Sequence, residues 1–148
     1  MSSPAFHQRT SNFARLSLRF SQSTGLRAAL LLGCLAAAVL AASVGTPEGF
    51  LQTDLQLARL LRGMAAIKAS IVIASVCLLS WRFGRSVSAR IAAVYLLGAW
   101  LASGATVLIW QLTFIPLAAA VFHLGELSLL IAAWRDSGGR GDAGRNGP

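Results

Sequence analysis

The chain has 148 residues, of which 55% are hydrophobic and only 12% are charged, and its net charge at pH 7 is +8. A soluble domain of this length normally carries about 25% charged residues. The apolar residues fall in blocks of roughly 17 to 22, each long enough to cross a hydrocarbon core of about 30 Å at about 1.5 Å per residue. The composition therefore excludes an ordinary soluble domain and predicts an integral membrane protein.

The positive charge does not indicate nucleic-acid binding. The arginines lie mostly at the ends of the apolar blocks, which is where the positive-inside rule places them in membrane proteins. They also lack the interleaved aromatic side chains that stack on bases. We therefore expect the lipid bilayer, and no nucleic acid, as the partner of this charge.

Residues 1–25 form a basic tail that contains no acidic residue. Apolar residues recur at helical spacing from Phe13 to Phe20, with Arg15 and Arg19 on the opposite face, which fits a short amphipathic helix on an anionic membrane surface. A disordered basic tail fits the same composition. So does a mitochondrial presequence, which is rich in arginine and serine and poor in acidic residues.

The first predicted span covers residues 26–44. Small residues recur along it at every fourth position, and such strips allow close approach of another helix in lipid; they are Ala29, Gly33, Ala37 and Ala41. The arginines, the apolar stretch and the small residues before Ser43 also fit a signal peptide with a cleavage site after that residue. Removal of this segment would leave the other three spans in the same orientation.

Three further spans follow, over residues 54–81, 91–110 and 113–134. Only residues 111–112 separate the third span from the fourth, which predicts a tight antiparallel hairpin. Gly98 and Ala102 give the third span its own strip of small residues. Residues 26–134 thus form one transmembrane domain, and the Gly/Arg-rich residues 135–148 are expected to be a disordered tail.

The distribution of arginines predicts that both termini are cytoplasmic. Most basic residues lie in the N-terminal tail, in the 82–90 loop and in the C-terminal tail. Trp81, Trp110 and Trp134 each mark the end of a span, as interfacial aromatic anchors do. The predicted fold is all-α, a four-helix transmembrane bundle running up-down-up-down, in a bacterial inner (plasma) membrane or, alternatively, a mitochondrial inner membrane.

Three ionisable residues lie inside predicted spans, where charged groups are costly and usually face the bundle. Counting from the nearest tryptophan of the same span, Lys68 is about 20 Å deep, His123 about 16 Å and Glu126 about 12 Å. His123 and Glu126 are three residues apart, so both can project from neighbouring positions of one helix. The lysine stem is long enough for an ion pair between Lys68 and Glu126.

This intramembrane polar cluster allows three interpretations. It is a structural pair that selects which helices pack together, or it lines the path of a small proton- or cation-coupled transporter, or it belongs to a haem- or quinone-associated anchor subunit. Haem held by two histidines would need a second one from a homodimer or a partner subunit, because His7 lies in the tail.

Enzyme signatures are missing from the sequence. It contains no glycine-rich phosphate loop, no His-Glu-x-x-His motif and no cysteines at metal-binding spacing. We therefore expect no catalysis, no cofactor and no metal. The expected function is that of a structural or accessory subunit that packs against itself, as a homo-oligomer, or against a partner membrane protein.

Overall fold

The computed structural model describes the backbone of residues 5–44 and 55–138 and the side chains of residues 23–44 and 55–137. Within these ranges the chain forms four α-helices and no strand: α1 (Ala5–Val44), α2 (Leu55–Arg82), α3 (Ala89–Trp110) and α4 (Ile115–Gly138). Each contains a segment long and apolar enough to cross a membrane. The prediction of an all-α four-helix transmembrane bundle is confirmed.

The helix ends differ most from the predicted spans at two places. The helix that contains the first span begins at Ala5, so the backbone of residues 5–25 continues it without a break. The fourth helix continues one turn past Trp134, to Gly138. The side chains of residues 1–22, the first residue of the second predicted span (Asp54) and most of the predicted C-terminal tail lie outside the described residues, so predictions made there stay predictions.

The third helix is the centre of the bundle. α3 packs against each of the other three helices, whereas the contact between α1 and α2 is small. In the described ranges, the backbone of α4 approaches neither α1 nor α2 within 8 Å between Cα atoms. Accordingly, 39% of the apolar segment of α3 is buried, against 11% for α2 and 6% for α1. The outer helices therefore have long apolar faces that the described part of the chain leaves uncovered.

A pair of glycines brings α3 and α4 into backbone contact. A Cβ atom at Gly98 would lie 2.9 Å from the carbonyl oxygen of Gly125, and a Cβ atom at Gly125 would lie 2.7 Å from that of Gly98. Ala102 is buried beside this crossing. Small residues matter in lipid because little hydrophobic drive pushes helices together, so close van der Waals contact supplies much of the attraction.

The turn between α3 and α4 holds the other two helices at the same end of the bundle. Leu112 and Phe114 adopt left-handed backbone conformations, with φ of 61° and 47°, which are uncommon for residues other than glycine. The buried Leu112 packs on Ala58 near the start of α2. The Gln111 side-chain amide donates a hydrogen bond of 3.3 Å to the carbonyl oxygen of Ala42 in α1.

An ion pair joins α2 to α4 at the opposite end. The Oδ2 atom of Asp136 accepts hydrogen bonds from Nε of Arg82 at 2.6 Å and from Nη2 at 2.5 Å. Beneath it, Phe83 and Tyr95 are buried and pack edge to face, with 6.2 Å between ring centroids. Ser88 caps the N-terminus of α3 by accepting a hydrogen bond from the backbone of Ile91.

Candidate functional site

The strips of small residues lie at helix contacts around α3. A Cβ atom at Gly33 would overlap the indole ring of Trp100, and the backbone of Ala37 lies 3.4 Å from a Cβ atom built on Gly104. Ala41 is buried and Ala29 is half-buried. On α3, Gly98 and Ala102 instead face α4. The strip on the first helix therefore faces α3, the central helix.

The three tryptophans expected to act as anchors are at helix ends. Trp81 and Trp134 are exposed near the C-terminal ends of α2 and α4, at the end of the bundle that carries the Arg82–Asp136 ion pair. Trp110 is the last residue of α3 and is exposed at the other end of the bundle. Their positions are those of side chains at two membrane interfaces.

Lys68 lies on α2 and turns its charge toward an aromatic ring. Its Nζ atom is 3.9 Å from the ring centroid of Phe122 on α4. The expected Lys68–Glu126 ion pair does not form in the described part of the chain, where Arg82–Asp136 is the ion pair present. The ring is the nearer partner, and its negative face attracts a cation strongly when water is excluded. The attraction between Lys68 and Glu126 is Coulombic, without direct contact.

Glu126 lies at the inner end of a cleft between α2 and α4. The cleft has a volume of about 310 Å³ and leads from Glu126 to Arg82 along walls that are mostly apolar, among them Leu79, Leu129 and Leu130. The Oε1 atom of Glu126 is buried, and within the described structure no donor reaches it. A buried oxygen without a hydrogen bond is costly and unusual. The described residues donate no hydrogen bond to this carboxyl group, although the group lines the cleft.

His123 is exposed on the outer face of α4 rather than turned into the bundle. Its ring touches that of Phe122 edge to face, with 5.6 Å between centroids and 81° between planes. Leu127 and Trp134 are exposed further along the same side of the helix. Since His123 lies about 16 Å below Trp134 along the helix axis, its imidazole faces the hydrocarbon region of the membrane.

The structure thus brings the three predicted residues together only in part. Phe122 links two of them, because Lys68 lies over its ring and the His123 ring contacts it edge to face. Glu126 instead lines the cleft. Among the residues with described side chains, no three of the His, Cys, Asp and Glu type are close enough to hold a metal ion.

No protein-family model, curated protein or solved structure matches this chain. The residues of the site offer hydrogen bonds and charge at fixed depths in an apolar surface, which suits recognition of another membrane component.

Sequence reasoning missed three residues that shape the site. Gly125 sets the α3–α4 crossing, and its signal was a lone glycine between bulky neighbours in an apolar helix. Asp136 is the acidic residue that follows the last tryptophan, directly after an arginine, so an ion pair near the membrane surface was a reasonable expectation. The contact of Phe122 with Lys68 could not be predicted, because a phenylalanine in an apolar stretch gives no sequence indication that its ring will face a cation.

Proposed function

We propose that this protein is a non-catalytic subunit of an inner membrane that assembles, through the outer face of α4, with itself or with a partner membrane protein. The observation that carries the proposal is the outward position of His123 in the middle of a lipid-facing surface. The uncovered apolar faces of the outer helices give it further support.

This proposal follows from the unfavourable free energy of placing a polar side chain such as that of His123 in hydrocarbon. An imidazole can donate one hydrogen bond and accept another, and lipid chains satisfy neither. A helix of a second chain against α4 would supply a partner, and hydrogen bonds between membrane helices stabilise their association by about 0.6 to 2 kcal/mol each. Assembly removes the cost that an isolated subunit bears.

Transport through one copy has less support. A proton or cation path needs its polar groups along one cavity, whereas Glu126 lines the α2–α4 cleft, His123 faces outward and the Lys68 charge is covered by Phe122. A haem or quinone anchor has support only from His123 itself, which is the only histidine in the described side chains. We therefore prefer assembly to both alternatives.

The proposed orientation places both termini in the cytoplasm. Arg82, Arg85 and Arg135 lie at one end of the bundle, next to the exposed Trp81 and Trp134. The other end carries the 111–114 turn, which has no basic residue, and the first turns of α2, which contain Arg59 and Arg62. This asymmetry is the pattern that the positive-inside rule associates with a cytoplasmic face.

The test is the number of copies that stay together in a bilayer when the protein is present at low surface density. The tagged protein is extracted in native lipid discs without detergent, and its copies per disc are counted by stepwise photobleaching, with co-purified chains identified by mass spectrometry. We expect more than one copy of this 15.5 kDa chain per disc, or a stoichiometric second membrane protein. Single copies without a protein partner would overturn the proposal.

A further inference from the structure

We infer that the chain covering the outer face of α4 is a second copy of this protein, related by a two-fold axis along the membrane normal, with His123 of each copy bonded to Glu126 of the other. The inference rests on the proposed assembly function and names its partner. It would make the homodimer the functional unit.

The two side chains belong to one continuous surface. They are three residues apart on α4, which corresponds to a rise of about 4.5 Å and to neighbouring directions around the helix. Leu130 joins them, because it lines the cleft that holds Glu126 and is also 66% exposed. A helix lying against this edge of α4 would meet both polar groups at once.

The hydrogen-bonding capacities of the two groups are complementary. The imidazole of His123 can donate, and the Glu126 carboxyl group lines the open cleft without a hydrogen bond from any described residue. No hydrogen bond joins the two side chains within α4. A second copy supplies to each group what its own chain does not.

Two-fold symmetry makes this complementarity occur twice. In such an interface residue i of one copy meets residue j of the other, and j meets i. A parallel pair of α4 helices keeps equal residues at equal depth, so His123 and Glu126 of the partner differ in depth by only about 4.5 Å. Long polar side chains bridge that distance, and the exposed Leu127 and Leu130 would pack between the helices.

An exchange of the two groups tests the pairing directly. His123→Glu gives a chain with carboxyl groups at both positions, and Glu126→His gives a chain with imidazoles at both. A homodimer of either variant sets like groups against each other twice, whereas a mixed dimer of the two contains both His–Glu pairs. We expect each variant to lose self-association by about tenfold or more, and the mixed dimer to recover most of it.

The measurement uses two tags in co-expressing cells. One tag is captured from native lipid discs, and the second is quantified by immunoblot at equal expression. Ser70→Glu is the matched control, because Ser70 is exposed on α2 and lies eleven residues from Trp81, as His123 lies eleven residues from Trp134. This variant should keep wild-type self-association and gain nothing from Glu126→His.

Disulfide cross-linking provides a second measurement, which does not require the His123→Glu and Glu126→His variants to fold. Leu130→Cys, in a chain whose native cysteines are changed to alanine, should form a disulfide between copies when membranes are oxidised. The control retains Cys77 alone, which is exposed on α2 four residues from Trp81, the same spacing as Leu130 from Trp134. We expect a cross-linked dimer from the first chain and none from the control.

The outcomes separate the inference from the proposed function. The inference of a second copy at this face is overturned if self-association is unchanged in both variants. It is also overturned if co-expression of the two variants does not restore association. If a different membrane protein then co-purifies with wild-type chain and is lost on His123→Glu, the proposed function stands without the inference. Single copies with no partner overturn both. Recovery in the mixed pair, with Leu130→Cys cross-linking, establishes the dimer.

Discussion

Arg82 and Asp136 bond to each other across 54 residues of sequence, although the helices that carry them do not touch through their backbones. Two guanidinium nitrogens of Arg82 share one carboxylate oxygen, and the two side chains are only 15% and 16% exposed. Among the described residues this is the ion pair that joins α2 to α4, and Arg82 lines the same cleft as Glu126.

Removing one partner of this pair should destabilise the protein. Asp136→Asn leaves the Arg82 charge largely buried with weaker acceptors, and we expect a loss of about 1 to 3 kcal/mol in the free energy of unfolding. The measurement is unfolding in mixed micelles followed by circular dichroism. Arg85→Gln is the control, because Arg85 is exposed and lies 5.0 Å from the ring of Trp81, so its loss should cost much less. Equal losses would contradict a special role for the ion pair.

The glycine crossing gives a second prediction. Gly125→Ala sets a methyl group 2.7 Å from the carbonyl oxygen of Gly98, so α3 and α4 must move apart. We expect destabilisation of about 1 to 3 kcal/mol, the usual cost of overfilling a packed contact. Gly63→Ala is the matched control, since no atom lies within 4 Å of a Cβ atom there, and it should be neutral or slightly stabilising. A neutral Gly125→Ala would mean that the helices cross elsewhere.

A third prediction concerns the contact of α1 with α3. Gly33→Leu drives a branched side chain into the space of the Trp100 ring and should lower the thermal stability of the purified protein, with early aggregation on heating. Leu32→Ala should matter little, because Leu32 is exposed to lipid. If the two substitutions have equal and small effects, α1 does not pack on α3 through this strip.

The position of Lys68 leads to a comparison of two double-mutant cycles. Lys68→Met combined with Phe122→Leu should give a coupling energy of about 0.5 to 2 kcal/mol, the range of cation–π contacts. Lys68→Met combined with Glu126→Leu should give a smaller one, because that attraction acts without direct contact. A larger coupling to Glu126 would show that the lysine leaves the ring and forms the ion pair.

Topology can be checked with reporter fusions. Fusions after Arg90 and after Asp136 should report a cytoplasmic location, and a fusion within residues 46–52 should report the opposite side. This prediction rests on the concentration of arginines at the end of the bundle that carries the ion pair. A non-cytoplasmic signal at either of the first two sites would contradict the orientation.

The number and positions of the spans could be predicted from the sequence because the bilayer imposes them one helix at a time. A hydrocarbon core of about 30 Å demands about 20 apolar residues whatever the neighbouring helices do. The two residues between the third and fourth spans likewise required an antiparallel hairpin. The depth of each ionisable residue followed from counting along a helix of known rise.

Which way the three ionisable residues face was decided by tertiary structure alone. One residue of rotation turns a side chain by about 100°, and all four spans are apolar on every side, so no polar face indicates their rotation. The contact of Gly98 with Gly125 sets the rotation of α4, and that rotation turns His123 outward and Glu126 into the cleft. Lys68 could reach a carboxylate by depth, but the packed helices set the ring of Phe122 closer to its charge.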